Sequence, residues 1–145
     1  MKWVTWQNIG IDRMACAWLI LRWIDPKAEF TFIRMGEKAS PKHGEPFDIP
    51  GARYAHHGGH CTFHALLQEK KIKDPVLGRI AQMVDEADEV QEISVEPAAP
   101  GLDLICRGLS QISQDDYEAM ERGRLVYDAL YAQLKADLAN SGIAE

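Results

Sequence analysis

Hydrophobic and polar positions along the chain form short alternating runs at its start and longer helical runs after them. Lys2 to Trp6 (KWVTW) alternates and is rich in β-forming side chains, which predicts a short strand. Asp12 is a predicted N-cap, and the run after it, RMACAWLILRWI, is apolar on almost every side except at Arg13 and Arg22. Such a helix belongs in the middle of a domain, and Asp25-Pro26 should stop it near Ile24. Glu29 to Ile33 (EFTFI) predicts a second strand. Strand, buried helix and strand in this order predict a β-α-β unit with a right-handed crossover.

The pattern then loosens. Arg34 to Gly51 is dense in glycine and proline and reads as a loop, with Phe47-Asp48-Ile49 packing it down. Arg53 to Ala55 is the expected third strand. Thr62 should cap a helix to about Lys71, and Asp74-Pro75 should open another to about Ala87, with Leu77, Ala81 and Val84 as its inward stripe. Ala98 to Ser110 predicts a short helix with Leu102, Ile105 and Leu109 on one face. From Asp115 a long helix follows, with Tyr127, Leu130, Tyr131, Leu134 and Leu138 at helical spacing, closing near Asn140-Ser141-Gly142. Trp3, Trp18 and Trp23 are expected in the core. There are no repeats or linkers, so residues 1–145 read as a single domain. The predicted class is α+β and helix-dominated, with a small sheet around an N-terminal β-α-β unit.

Composition narrows the function more than the fold. A 46% apolar and 26% charged chain of 145 residues is an ordinary globular domain. Its net charge of −6 repels phosphate backbones, so no direct nucleic-acid binding by this chain alone is expected. Three widely spaced cysteines without a CxxC pair suggest reduced thiols. The N-terminal run lacks the apolar stretch of a signal peptide, and Met14 to Leu21 is too short to cross a bilayer. The expected location is cytoplasmic, and a homodimer remains open.

Candidate chemistry lies in AHHGGHCTFH, which holds four of the five histidines: His56, His57, His60 and His64. Clustered imidazoles are ligands for zinc, iron, nickel and copper. Gly58 and Gly59 let the backbone bend so that the residues on either side converge. His64, in the first turn of its helix, is the best single candidate. Continuing the stripe of the Asp74 helix by four lands on Asp88, with Asp85 three residues earlier at the edge of the same face. The expected metal site is therefore His56, His64, Asp85 and Asp88, with His57, His60 and Cys61 in reserve. A divalent transition metal (zinc, manganese, iron or nickel) is the expected cofactor. Arg13 and Arg22 are candidate oxyanion ligands, or else ion-paired with Asp12, Asp25 or another carboxylate. Cys16 and Cys106 read as inert core thiols, whereas the histidine neighbours of Cys61 are expected to lower its pKa.

The runs DRMACAWLILRWIDPKAEF, FDIPGA, HHGGHCTF and, later, GLS…DD…YDALY resemble the ChrB C-terminal domain family of chromate-resistance regulators. The resemblance covers Trp3 to Tyr131, nearly the whole chain. It implies a bacterial protein of the chromate and oxidative-stress response, a stand-alone relative of the full-length regulators. The family pattern HxGxxCTF falls on His56, Gly58, Cys61, Thr62 and Phe63. His64 replaces the family's usual acidic residue, Ala17 a common proline and Leu21 a usual arginine. The first exchange keeps a metal ligand but trades an oxygen donor for imidazole. Three functions are compatible with these residues: a metal-binding domain, a metal-free sensor of chromate or sulfate, or a regulatory partner domain. Whether there is turnover is left open.

Overall fold

The structure is a computed structural model that describes residues 1–89, 91 and 93–141. Its elements are β1 (Lys2–Trp6), α1 (Ile11–Leu19) with one π-helical turn at Ile20–Ile24, β2 (Glu29–Ile33), β3 (Glu45–Pro46), α2 (Thr62–Glu69), α3 (Pro75–Asp88), α4 (Ala99–Ile112) and α5 (Asp116–Asn140). It is an α+β fold dominated by helices, as its hydrophobic pattern predicts. Among the described residues no helix is long and apolar enough to cross a membrane.

The sheet order is β2-β1-β3, with both pairings parallel. β1 and β2 run in register from Lys2 opposite Glu29 to Trp6 opposite Ile33, and α1 makes the crossover between them. The third strand is not Arg53–Ala55. Glu45–Pro46 takes that place, and Tyr54 contributes only a bridge to Phe47. Proline has no N–H to give a ladder, and β3 tolerates it because it is an edge strand. One face of the sheet (Trp3, Phe30) meets the helices. Val4 and Ile33 on the other face are covered by Ile49, which returns from the Arg34–Gly51 loop.

The centre of the molecule is α1, buried at Ile11, Asp12 and from Met14 to Leu19. α5 lies close against it, because Gly123 has no side chain where a Cβ would stand 3.2 Å from the Met14 sulfur. Tyr127 donates its hydroxyl to the Ile11 carbonyl, and Trp18 stacks between Tyr127 and Phe63. Trp23, expected in the core, is 37% exposed and sits edge-on to Trp18. The inward stripe of α4 is Ala99, Leu102 and Cys106, with Leu109 partly buried, while Ile105 faces solvent. Asp74 and Asp115 cap α3 and α5 as expected, each accepting backbone N–H groups. α5 ends at Asn140, and Gly142 of the expected stop lies outside the described residues.

Candidate metal centre

Four segments deliver side chains to one end of α2. The first is the start of α1. Its N-cap is Gly10, and Asp12 lies in the first turn, so the expected Asp12 cap is not formed within its own helix. The buried Asp12 carboxylate instead accepts the N–H groups of Thr62 at 2.8 Å and Phe63 at 2.9 Å. It thus satisfies the N-terminus of a helix 50 positions away. Within α2 itself Cys61, not Thr62, is the N-cap.

The second segment is the extension of β3. Phe47 donates its N–H to Val4, and the Thr5 hydroxyl donates to the Phe47 carbonyl, so the chain leaves the sheet at Asp48 in a fixed direction. Asp48 has a φ of 53°, a left-handed conformation that aspartate tolerates better than most residues. Its Oδ1 accepts the Thr62 hydroxyl at 2.8 Å, and its Oδ2 lies 3.2 Å from Arg13 Nε.

The third is the histidine loop. His57 and His60 exchange both backbone hydrogen bonds, and Gly58 and Gly59 between them have φ of 57° and 80°. Two consecutive positive φ values are what a two-residue type I′ turn requires, which explains the glycine pair. The fourth is the last turn of α3, which carries Asp85 and Asp88.

These segments build two clusters. In the first, His56 Nε2 lies 3.0 Å from Asp12 Oδ2, 3.2 Å from Asp48 Oδ1 and 3.3 Å from Asp88 Oδ2. Its other ring nitrogen bonds the Glu89 carboxylate, which fixes the ring. The cluster opens into a cleft of about 300 Å³, lined also by Asn8, Gly10, Asp103 and Arg107. Hydrogen bonds to Asp12 and Asp48 raise the His56 pKa to about 11. Burial, then the charge of Asp12, raises Asp88 to about 6. Burial also raises Asp12.

In the second cluster, His60 Nδ1 and His64 Nδ1 lie 2.7 Å and 2.9 Å from the same oxygen, Asp85 Oδ2. Asp85 Oδ1 accepts the Cys61 N–H at 2.8 Å. Burial opposes the charge on Asp85, but hydrogen bonds from His64 and Cys61 outweigh it and hold the carboxyl well below its usual range.

The four expected ligands therefore do not share one centre. His56 and Asp88 fall in the first cluster, His64 and Asp85 in the second. Their roles on α3 are reversed from the stripe reading: Asp85 is the fully buried carboxylate and Asp88 is exposed at the helix end. His60, held in reserve, stands beside His64, and the His57 side chain points to solvent. Arg22 is engaged bidentately by Asp128, whose carboxylate also accepts the Trp18 indole N–H, so the two arginines do not meet. Asp12 and Asp48 were not on the expected ligand list. The signals were there in the form of an aspartate inside an apolar helix and another between Phe47 and Ile49.

Cys61 also departs from expectation. It is buried, and desolvation together with Asp12 pushes its thiol up, not down. Burial likewise raises Cys16 and takes Cys106 to about 11. All three thiols should stay silent toward a disulfide reagent such as DTNB in native protein at neutral pH. All three should react in denaturant. Prompt reaction of one thiol in the native state would show an opening that this packing does not contain.

Residues 3–134 match the ChrB C-terminal domain family. The chain is also similar to the protein ChrB of Cupriavidus metallidurans (strain ATCC 43123 / DSM 2839 / NBRC 102507 / CH34), at 30% identity over 138 residues. That match takes in 93% of this chain and 41% of the relative, so the chain spans about two fifths of the relative's length. No solved structure matches it significantly.

Proposed function

This chain belongs to the ChrB C-terminal domain family, and on that footing we propose that it is a cytosolic metal-binding domain serving the chromate and oxidative-stress response. The observation that carries the reading is the convergence of Asp12, Asp48 and Asp88 on His56 Nε2 at 3.0 to 3.3 Å. Donors that bind one ion at about 2.1 Å in octahedral geometry stand about 3.0 Å apart, close to the separations of His56 Nε2 from Asp12 and Asp48. Electrostatics favours the same reading. Asp12, Asp48 and His56 present donor atoms within 4.8 Å of one another. Two carboxylates at such a separation repel by roughly 3–4 kcal/mol at an effective dielectric of about 20. Arg13 and a protonated His56 offset part of that, and a divalent ion that displaces the His56 proton offsets more.

Two carboxylates and one imidazole, with a third carboxylate close by, are a hard donor set, which favours manganese or ferrous iron over softer ions. The metal would be held by Asp12, Asp48 and His56, with Asp88 beside the imidazole, and would supply Lewis-acid or redox chemistry, or the signal that a regulatory partner reads. Around it the chain has its own tasks: Glu89 orients the His56 ring, and Arg13 with the Thr62 hydroxyl holds Asp48. The oxyanion reading has less support, because Arg22 is engaged by Asp128 and Arg13 faces Asp48.

Titration calorimetry with manganese and ferrous iron tests the proposal. The parent chain should bind one such ion at this centre. Asp48→Asn and His56→Ala should each weaken binding more than tenfold while leaving the far-ultraviolet circular dichroism unchanged. A parent chain that takes up neither ion, or variants that bind like the parent, would remove the proposal.

A further inference from the structure

The second cluster has a different chemistry from the centre just described, and nothing in that proposal uses it. His60 and His64 lie with ring centroids 3.8 Å apart, and each turns Nδ1 toward Asp85 Oδ2. All three donor atoms fall within 4.8 Å of one another. Two imidazoles side by side gain little from stacking alone. We propose that His60, His64 and Asp85 form a second, separate metal site, one that takes a borderline-soft divalent ion such as zinc or nickel.

The donor set decides the class of ion. Two imidazoles and one carboxylate, with a fourth position open to water, suit four-coordinate zinc. Ligands about 2.0–2.1 Å from a tetrahedral ion stand about 3.3 Å apart. The observed 2.7 and 2.9 Å must therefore widen by about half an ångström. Movement of this size is easiest at His60. Its side chain is 43% exposed and leaves the type I′ turn, whereas Asp85 is fully buried and anchored by the Cys61 N–H.

The surroundings keep the two sites apart. The first cluster faces the cleft lined by Asn8, Gly10 and Arg107. His64 borders a different cavity, with Leu67, Lys71 and Ala81 on its wall, and His60 faces Gln82 and Gln91. Between the clusters stands the N-terminus of α2. Its Cys61 N–H bonds Asp85, and its Thr62 and Phe63 N–H groups bond Asp12. One helix start thus anchors a carboxylate of each site and stands between the two sets of donors.

Equilibrium dialysis of the full chain against zinc, with cobalt(II) spectra as the geometric readout, tests this. Three proteins suffice: the parent, the double variant His60→Ala/His64→Ala, and Asp48→Asn. The double variant should lose one tight zinc equivalent and the intense visible bands of tetrahedral cobalt, yet keep its manganese binding. Asp48→Asn should do the opposite, keeping zinc and tetrahedral cobalt while losing manganese. If the double variant binds zinc and cobalt like the parent, the second site does not exist, and the carboxylate-rich centre is untouched by that failure. If zinc is lost from the double variant while Asp48→Asn changes nothing, the second site stands and the carboxylate-rich centre falls. Zinc binding in the parent that disappears in Asp48→Asn alone would also overturn the second site.

Discussion

Asp12→Ala should abolish metal uptake at the carboxylate-rich centre and lower the melting temperature by about 5–15 °C. The side chain is 3% exposed and is the acceptor for two backbone N–H groups, those of Thr62 and Phe63. Alanine would leave both donors buried without a partner, and each such group costs about 1–3 kcal/mol. Part of that is returned, since a buried carboxylate close to Asp48 carries its own desolvation and repulsion. A net loss of roughly 2–4 kcal/mol remains, against a typical domain stability of about 5–15 kcal/mol. Asp12→Asn separates the two roles. Its carbonyl oxygen can still accept one of the N–H groups, so stability should fall far less. Its neutral amide should nevertheless fail to replace the carboxylate toward a divalent ion. Thermal melts and manganese titration of both variants check this. Equal melting temperatures and parent-like metal uptake would mean that Asp12 is neither cap nor ligand.

Gly44→Ala should be among the most damaging single changes in the chain, although it lies outside both clusters. A Cβ there would stand 2.3 Å from the Lys2 carbonyl oxygen and 2.4 Å from its carbon, and φ is 106°. The obstacle is backbone of the central strand, which cannot swing aside as a side chain could. The residue needs a conformation open mainly to glycine, and strain of that kind costs on the order of 1–3 kcal/mol even without a clash. The clash adds to it, so a loss above about 4 kcal/mol is expected, well beyond the typical mutation. β3 would have to leave β1, taking Phe47 and Asp48 with it, so manganese affinity should fall together with stability. Gly51→Ala is the control. It shares a positive φ, 85°, but has nothing within 4 Å, so it should cost only the strain of about 1–3 kcal/mol and leave metal binding in place. Urea unfolding of the two variants decides the matter. Similar midpoints would mean that β3 does not pair as tightly with β1 as described.

Much of the scaffold was legible from residue order. β1, β2, the buried α1 and the capped starts of α3 and α5 all rest on signals that act within a few positions: alternation, an apolar run without a polar face, and aspartates placed before helices. The Gly58-Gly59 pair also announced a tight bend. Errors arose where a local signal had two uses. Asp12 looked like a cap for its own helix and instead caps α2. The apolar spacing of α4 runs through Ile105, whereas Cys106 faces inward, a rotation of one position that short apolar runs do not determine. Pro46 made its segment look like loop, because a proline argues against a strand unless that strand is known to be an edge.

The sequence by itself determined that histidines and carboxylates would be concentrated on the histidine loop and at the end of the Asp74 helix, and so what kinds of donor are present. Only the tertiary structure decided which donors meet. Asp48 comes to His56 because a two-residue edge strand pairs with β1, and Asp12 comes to it because the start of α2 needs an acceptor. Asp85 and Asp88, three positions apart on one helix and only about 60° apart around it, are sent to different clusters because the α2 N-terminus lies between them. Hydrogen bonds that join residues 24, 50 and 51 positions apart set this arrangement. Periodicity within a single element carries no information about them, since it records which face of a helix is buried and not what waits on the other side.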